Sequence, residues 1–359
     1  MTTLDLDNIN VTAFDPMPSP EEILEHLPLT PSAAGAVRRG RTVLSQILDR
    51  QDHRLFVIVG PCSIHDPIAG LDYAHRLLEL AHEVEDTLYL VMRVYFEKPR
   101  TTTGWKGYIN DPDMDDSFRV DEGMRKARSF LLQLAELGLP AGTEALDPIS
   151  PQYLGDLISW TAIGARTSES QTHREISSGL STPVGFKNGT NGDIGIAVNA
   201  ILSAARPHSF LGINGQGRTA IVRTRGNRYG HLVLRGGGDR PNYDTVSVQM
   251  AEIALRKAGL SSNIVIDCSH ANSYKKYELQ PLVLADVVNQ VRLGNRSIVG
   301  MMIESNIVAG NQPIPEDLSQ LIYGCSVTDS CVDWATTERM IRDAAGLLRE
   351  VLPARLDRA

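Results

Sequence analysis

Cys62, His270 and Glu304 are a thiol, an imidazole and a carboxylate, each at or just past the end of a short apolar run. Such a donor mixture suits one borderline divalent metal: Mn2+, Fe2+, Co2+ or Zn2+. Asp329, beyond the last run, is a candidate fourth ligand. Cys268 lies two residues before His270, on the same strand face by parity, and is a rival ligand. The plainer alternatives are a buried small hydrophobe for the cysteines and a hydrogen-bonded core position for His270. A second set is cationic: Arg93, Lys98, Arg100, Arg166, Lys187 and Arg235. Guanidinium forks grip phosphate and carboxylate in bidentate fashion, and lysine adds a point charge. Pro99 holds Lys98 extended, so Lys98 and Arg100 are expected to point into one cavity. Six cations at one site imply a heavily anionic substrate, or two phosphate-bearing ones. The plainer alternative is ion pairing to the aspartates between 111 and 116.

The elements that must position these residues are strands. Short apolar, β-branched runs occupy 55–59, 88–94, 141–145, 163–166, 184–187, 210–213, 264–268 and 298–303. Amphipathic stretches such as 121–136, 152–159, 192–205, 245–257 and 279–293 alternate with them. Eight such units predict an α/β fold, a (β/α)8 TIM barrel, with a doubly wound open sheet as competitor. Barrel enzymes build their sites at C-terminal strand ends, where most of these polar residues fall. Residues 1–50 read as an N-terminal extension for oligomerisation or regulation. Ser19-Pro20 and Thr30-Pro31 each open a helix in it. The catalytic barrel is expected over 51–350, with a tail over 351–359. A long polar loop covers 95–120. The glycine-rich stretch 214–243 reads as a β-hairpin inserted after strand six, and Arg235 falls within it.

The chain has 359 residues and a net charge of −8, so non-specific nucleic-acid binding is not expected. No apolar run approaches a membrane span. No signal peptide is read at the N-terminus, and four cysteines make no disulfide framework. The expected compartment is therefore reducing and cytoplasmic. No Gly-Lys dipeptide exists, which removes a P-loop. Residues 215–220 fit a dinucleotide fingerprint, but the β-branched run that follows does not read as the helix such a site needs.

Residues 60–66 (GPCSIHD) and 98–107 (KPRTTTGWKG) closely resemble the class I 3-deoxy-D-arabino-heptulosonate 7-phosphate (DAHP) synthases. So do 164–171 (GARTSESQ), 185–190 (GFKNGT), 234–237 (LRGG), 267–272 (DCSHAN) and 302–306 (MIESN). The likeness spans about residues 15 to 345. It implies condensation of phosphoenolpyruvate with erythrose 4-phosphate and water, releasing phosphate, as the first step of the shikimate pathway. It implies a metal on Cys62, His270, Glu304 and Asp329. Phosphoenolpyruvate contacts would fall on Arg93, Lys98, Glu144, Ala165, Arg166, Lys187 and Arg235. Erythrose 4-phosphate contacts would fall on Lys98, Pro99, Arg100 and Thr101. Lys98, Glu144, Lys187 and His270 are the expected catalytic groups. Glu144 with Lys187 beside it is the expected activator of the attacking water, and His173 a weaker candidate. Residues 142–148 and 212–214 look most like the tryptophan-sensitive isoenzymes, so an aromatic amino-acid effector, tryptophan, is expected, on a homodimer or homotetramer. The nearest rival, 3-deoxy-octulosonate 8-phosphate synthase, usually carries Lys-Ala-Asn-Arg where this chain has residues 98–101. A non-catalytic amino-acid sensor on a dead barrel would be marked by degenerate ligands.

Overall fold

The structure is a computed structural model and describes residues 6–100 and 104–356. Two helices come first, α1 (Pro20–His26) and α2 (Pro31–Leu48). A capping box between Ser19 and Glu22 starts α1, and the Thr30 hydroxyl accepts from Ala33 N at the start of α2. There follow β1 (Leu55–Gly60), α3 (Pro67–Val84), β2 (Leu88–Arg93), α4 (Val120–Glu136), β3 (Ala141–Glu144), α5 (Pro151–Leu154) and β4 (Trp160–Ile163). Next are α6 (Gln171–Ser177), β5 (Val184–Lys187), α7 (Ile194–Ala204), β6 (Ser209–Ile213) and β7 (Thr219–Arg223). The chain continues with β8 (Gly230–Leu234), α8 (Thr245–Lys257), β9 (Ile264–Asp267), α9 (Gln280–Arg292), β10 (Ile298–Glu304) and α10 (Trp334–Leu348). A closed barrel of eight parallel strands runs β1-β10-β9-β8-β5-β4-β3-β2.

The barrel is the one expected, but its sixth strand is not. Residues 210–213 were read as a barrel strand and 231–234 as part of an insertion. Instead β6 pairs antiparallel with β7 as a separate hairpin, and β8 takes the sixth barrel place between β5 and β9. The hairpin therefore precedes barrel strand six. Burial gives the reason. Along β8 four of five residues are buried, as in a strand covered on both faces, whereas β6 and β7 alternate with one face in solvent. Arg235 thus follows a barrel strand and does not sit in the hairpin. The run 163–166 also shifts: the strand is Trp160–Ile163, and Arg166 lies in the turn beyond it. The dinucleotide-like residues 215–218 form the turn between β6 and β7.

Parity divides the core. Leu55, Val57 and Val59 face the helices, while Phe56 and Ile58 face the barrel axis with Val91, Trp160, Val233, Val265 and Met302. Trp160 fills this interior because Gly185 leaves room: a Cβ there would lie 2.5 Å from Trp160 Cζ2. Leu44, Ile47 and Leu48 of α2 join the same interior cluster and close the N-terminal end. The alternation that buries Val91, Val265 and Met302 also turns Arg93, Asp267 and Glu304 inward, at the opposite end.

Candidate active site

Cys62 Sγ, a Glu304 carboxylate oxygen and an Asp329 carboxylate oxygen all lie within 4.8 Å of one another. Cys62 follows β1, Glu304 ends β10 and Asp329 lies in the loop before α10. Gly60 lets the chain turn here: its φ is +154°, and a Cβ would meet Arg93 O at 2.9 Å. His270 does not join this trio. It follows β9 with φ +55°, and its Nδ1 lies 2.9 Å from Asp267 Oδ2. It shares one cavity wall with Glu304 and Asp329, a space of about 220 Å³. A ring held through Nδ1 presents Nε2 as the free donor, a common arrangement for metal-binding histidine.

Cations surround the trio. Lys98 Nζ donates to Cys62 Sγ at 2.9 Å and to Cys62 O at 3.1 Å. Arg93 is buried, donates to Pro61 O and Cys62 O, pairs with Glu304 at 3.1 Å and stacks 3.6 Å above the Tyr95 ring. Burial and the Glu304 and Asp329 carboxylates push the Cys62 thiol up, against the pull of Lys98. Burial would lower Lys98, but Cys62, Asp329 and Glu304 outweigh it and hold the ammonium charged. Asp329 is exposed to the mouth yet partly desolvated, and Lys98, His270 and Arg93 keep its carboxyl below the usual range.

Asp267 is the residue that sequence reasoning left without a role. Its Oδ2 lies 2.9 Å from Lys187 Nζ and 2.9 Å from His270 Nδ1, and Oδ1 accepts from Ser269. Burial resists its charge, but His270 and Lys187 hold it well below the ordinary carboxylate range. The signal was present: Asp267 ends its strand three residues before His270. Lys187 consequently pairs with Asp267 and not with Glu144, as had been expected. Glu144 Oε1 is buried with no partner, against Gly164.

The remaining cations divide. Arg166 is exposed and Arg235 half-buried; burial, and less so the nearby Arg166 charge, lower Arg235 against the pull of Asp267. Neither is in a salt bridge among the described residues. Asp113 pairs instead with Arg119 and Lys126. Arg100 is exposed and donates to Trp105 O, so it does not join Lys98 in one cavity as parity suggested. Pro99 and Ala165 are half-buried beside these residues, and Thr101 lies outside the described residues. His173 has both ring nitrogens engaged, with Ser170 Oγ and Leu146 O, which is a structural arrangement. Cys268 is fully buried outside the trio.

The DAHP synthetase I family profile matches residues 28–342. The chain belongs to the DAHP synthetase I family. As a member it is a DAHP synthase, an enzyme of aromatic biosynthesis. It is 53% identical over 338 residues to the Tyr-sensitive phospho-2-dehydro-3-deoxyheptonate aldolase of Salmonella typhimurium, covering 94% of this chain and 95% of that protein. It is 50% identical over 343 residues to the Phe-sensitive protein of Escherichia coli K12, covering 96% and 97%. The solved phospho-2-dehydro-3-deoxyheptonate aldolase of Francisella tularensis superposes with a TM-score of 0.92 at 46% identity, over 96% of this chain and 99% of that one. The curated relatives named here are Tyr- and Phe-sensitive, and a special closeness to tryptophan-sensitive isoenzymes does not emerge. No helix among the described residues is long and apolar enough to cross a membrane.

Proposed function

We propose that this site condenses phosphoenolpyruvate with erythrose 4-phosphate and water, giving DAHP and phosphate. The observation that carries it is the sulfur and two carboxylates within 4.8 Å, ringed by Lys98 and Arg93 at the barrel mouth. One sulfur and two oxygens, with His270 Nε2 in reach of the same cavity, fit one borderline divalent ion. That ion, when bound, supplies Lewis acidity to the sugar aldehyde. Arg166 and Arg235, cations with no carboxylate, receive the phosphate of phosphoenolpyruvate. Lys187, fixed by Asp267, and Arg93, fixed by Glu304, orient its carboxylate. Lys98 serves both substrates, with Pro99 and Ala165 shaping the walls. Arg100 and Thr101 take the sugar phosphate. C3 of the enol attacks the aldehyde, water adds at C2, and the C2–O bond to phosphate breaks. Glu144, half-buried and with Oε1 buried and unpartnered, positions that water.

The effector is an aromatic amino acid, with tryptophan favoured by residues 142–148. A cavity of about 430 Å³ between the hairpin and α6 suits it, lined by Phe210, Val222, Leu180 and Ser150, with Glu97 and Glu144 toward the active site. The assembly is a homodimer or homotetramer in the cytoplasm, where four free cysteines persist. The test is phosphate release with erythrose 4-phosphate and with arabinose 5-phosphate, after chelation and with Mn2+ restored. Release only with the four-carbon sugar and metal upholds the reading. Metal-independent release removes the ligand assignment, and release with the five-carbon sugar alone removes the substrate. Adding Trp, Tyr and Phe separately ranks the effectors, and inhibition by Tyr or Phe without Trp removes the tryptophan assignment.

A further inference from the structure

The ladder between β9 and β10 stops short of the site. Its last pair is Asp267 with Met302, closed by Cys268 N donating to Met302 O at 2.9 Å. Beyond it the chain swings out towards α9, with His270, Tyr274 and Lys275 at φ of 55°, 52° and 58°. On its other side β10 is held further, since Glu304 pairs with Gly60 of β1 and Ser305 N donates to Gly60 O. Backbone groups alternate sides along a strand. Glu304 therefore turns its N–H and C=O where Met302 does, toward the departed β9. A buried peptide there needs partners from elsewhere.

Gln280 supplies them. It is the first residue of α9 and is fully buried. Its Oε1 accepts from Glu304 N at 3.0 Å, and its Nε2 donates to Glu304 O at 3.0 Å. A carboxamide carries one acceptor and one donor group side by side, so it stands in for the missing strand residue. A charged glutamate would lack the donor, and a leucine would lack both. Glu304 O also accepts from Val332 N at 3.0 Å, three residues beyond Asp329. Gln280 thus sits where three paths meet: His270 past the strand that leaves, Glu304 on the strand that stays, and Asp329 on the loop that returns. It walls the same cavity as all three.

We infer that Gln280 is a positioning residue for the metal donors, replacing β9 beside Glu304 and so fixing Glu304 relative to Asp329 and His270. The inference rests on the reading of Cys62, His270, Glu304 and Asp329 as the ligand set. Partners of donors are worth about 10- to 100-fold in metal affinity. Gln280 holds the backbone of one donor and not its carboxylate, so about tenfold is expected.

The test is Mn2+ binding to the whole chain, with free Mn2+ read by electron paramagnetic resonance. Gln280→Met and, separately, Gln280→Leu keep bulk and delete the amide. Each should raise the Mn2+ dissociation constant about tenfold, at a temperature where circular dichroism shows it folded. Gln290→Met controls for a merely structural effect. Gln290 is buried in the same helix and donates to Tyr243 O and Asp286 Oδ1, both at 2.7 Å. That variant should keep the parent's Mn2+ affinity and turnover. Unchanged affinity in the Gln280 variants, or equal weakening in Gln290→Met, overturns the inference. A parent that binds no Mn2+ removes the ligand reading, and this inference with it. If neither Gln280 variant folds, hydrogen exchange of the metal-free parent decides. The Glu304 amide should exchange as slowly as the β10 amides before it, and rapid exchange overturns the inference.

Discussion

At the mouth of the barrel, Arg93 rests on Glu304 at 3.1 Å and Lys187 on Asp267 at 2.9 Å. At the closed end, Arg50 and Arg355 lean on carbonyl and amide oxygens among the described residues. The mouth mixes paired with unpaired cations, so an incoming anion finds some groups aimed already and others free. Pairing fixes geometry: Lys187 and His270 share one carboxylate, so neither can turn without the other. The closed end has an apolar plug, a histidine sealed beneath it and cations held by dipoles. One end spends its polarity on orientation, the other on closure.

The comparison is broken most severely by Glu304→Gln. It removes a metal donor and leaves Arg93 buried without its charge partner. Phosphate release should vanish, and denaturant unfolding should show a loss of about 3–5 kcal/mol. Asp267→Asn is the sharper cut, because it touches no donor of the trio. Loosening His270 and Lys187 together should weaken Mn2+ binding about 10- to 100-fold, read by metal titration of activity and by direct metal binding. A normal Mn2+ affinity would remove Asp267 from its positioning role.

The two ends should also answer pH with opposite signs. His231, buried and donated to by Trp160 Nε1, is lowered by burial to about 4. The folded state therefore holds it neutral, and its contribution is whole above about 6.5 and lost as pH falls toward 4. Glu97, near the mouth, is raised to about 7 by burial and by Asp147 and Glu144. Its folded state binds the proton, so its contribution is whole below about 4.5 and lost as pH rises through 7. Each is worth about 3 kcal/mol. Denaturant midpoints of His231→Gln should flatten the acid limb, and those of Glu97→Gln the neutral limb. A single variant flattening both would mean the two ends are not independent. The smallest effect belongs to the surface. Arg342→Ala, which breaks surface pairs to Glu83 and Glu338, should leave the denaturant midpoint almost unchanged.

Which of this could be read from the chain depends on whether contacts are local. Strand ends carried most of the site, because period-2 alternation sets which side chains face the axis once the strand is placed. Asp267 escaped because an aspartate at a strand end has a solvated alternative, and only folding brings Lys187 from 80 residues away. The hairpin misled because residues 210–213 and 231–234 are both apolar and β-rich. What separates them is whether one face or both are covered, which is a property of the neighbours. Parity misplaced Arg100, because parity holds in a strand and residues 98–100 lie beyond the end of β2.

The plug has a consequence for the order in which the molecule can be made. Leu48 O accepts from Asn263 Nδ2, 215 residues later, and Arg50 reaches Ser262, 212 residues later. A chain emerging from the ribosome N-terminus first therefore produces α2 long before its seat exists. Through much of synthesis Leu44, Ile47 and Leu48 lack Val233, Val265 and Val299, the later part of the cluster they close. The barrel's floor is therefore completed only once β9 is out, although its helix is among the first parts made.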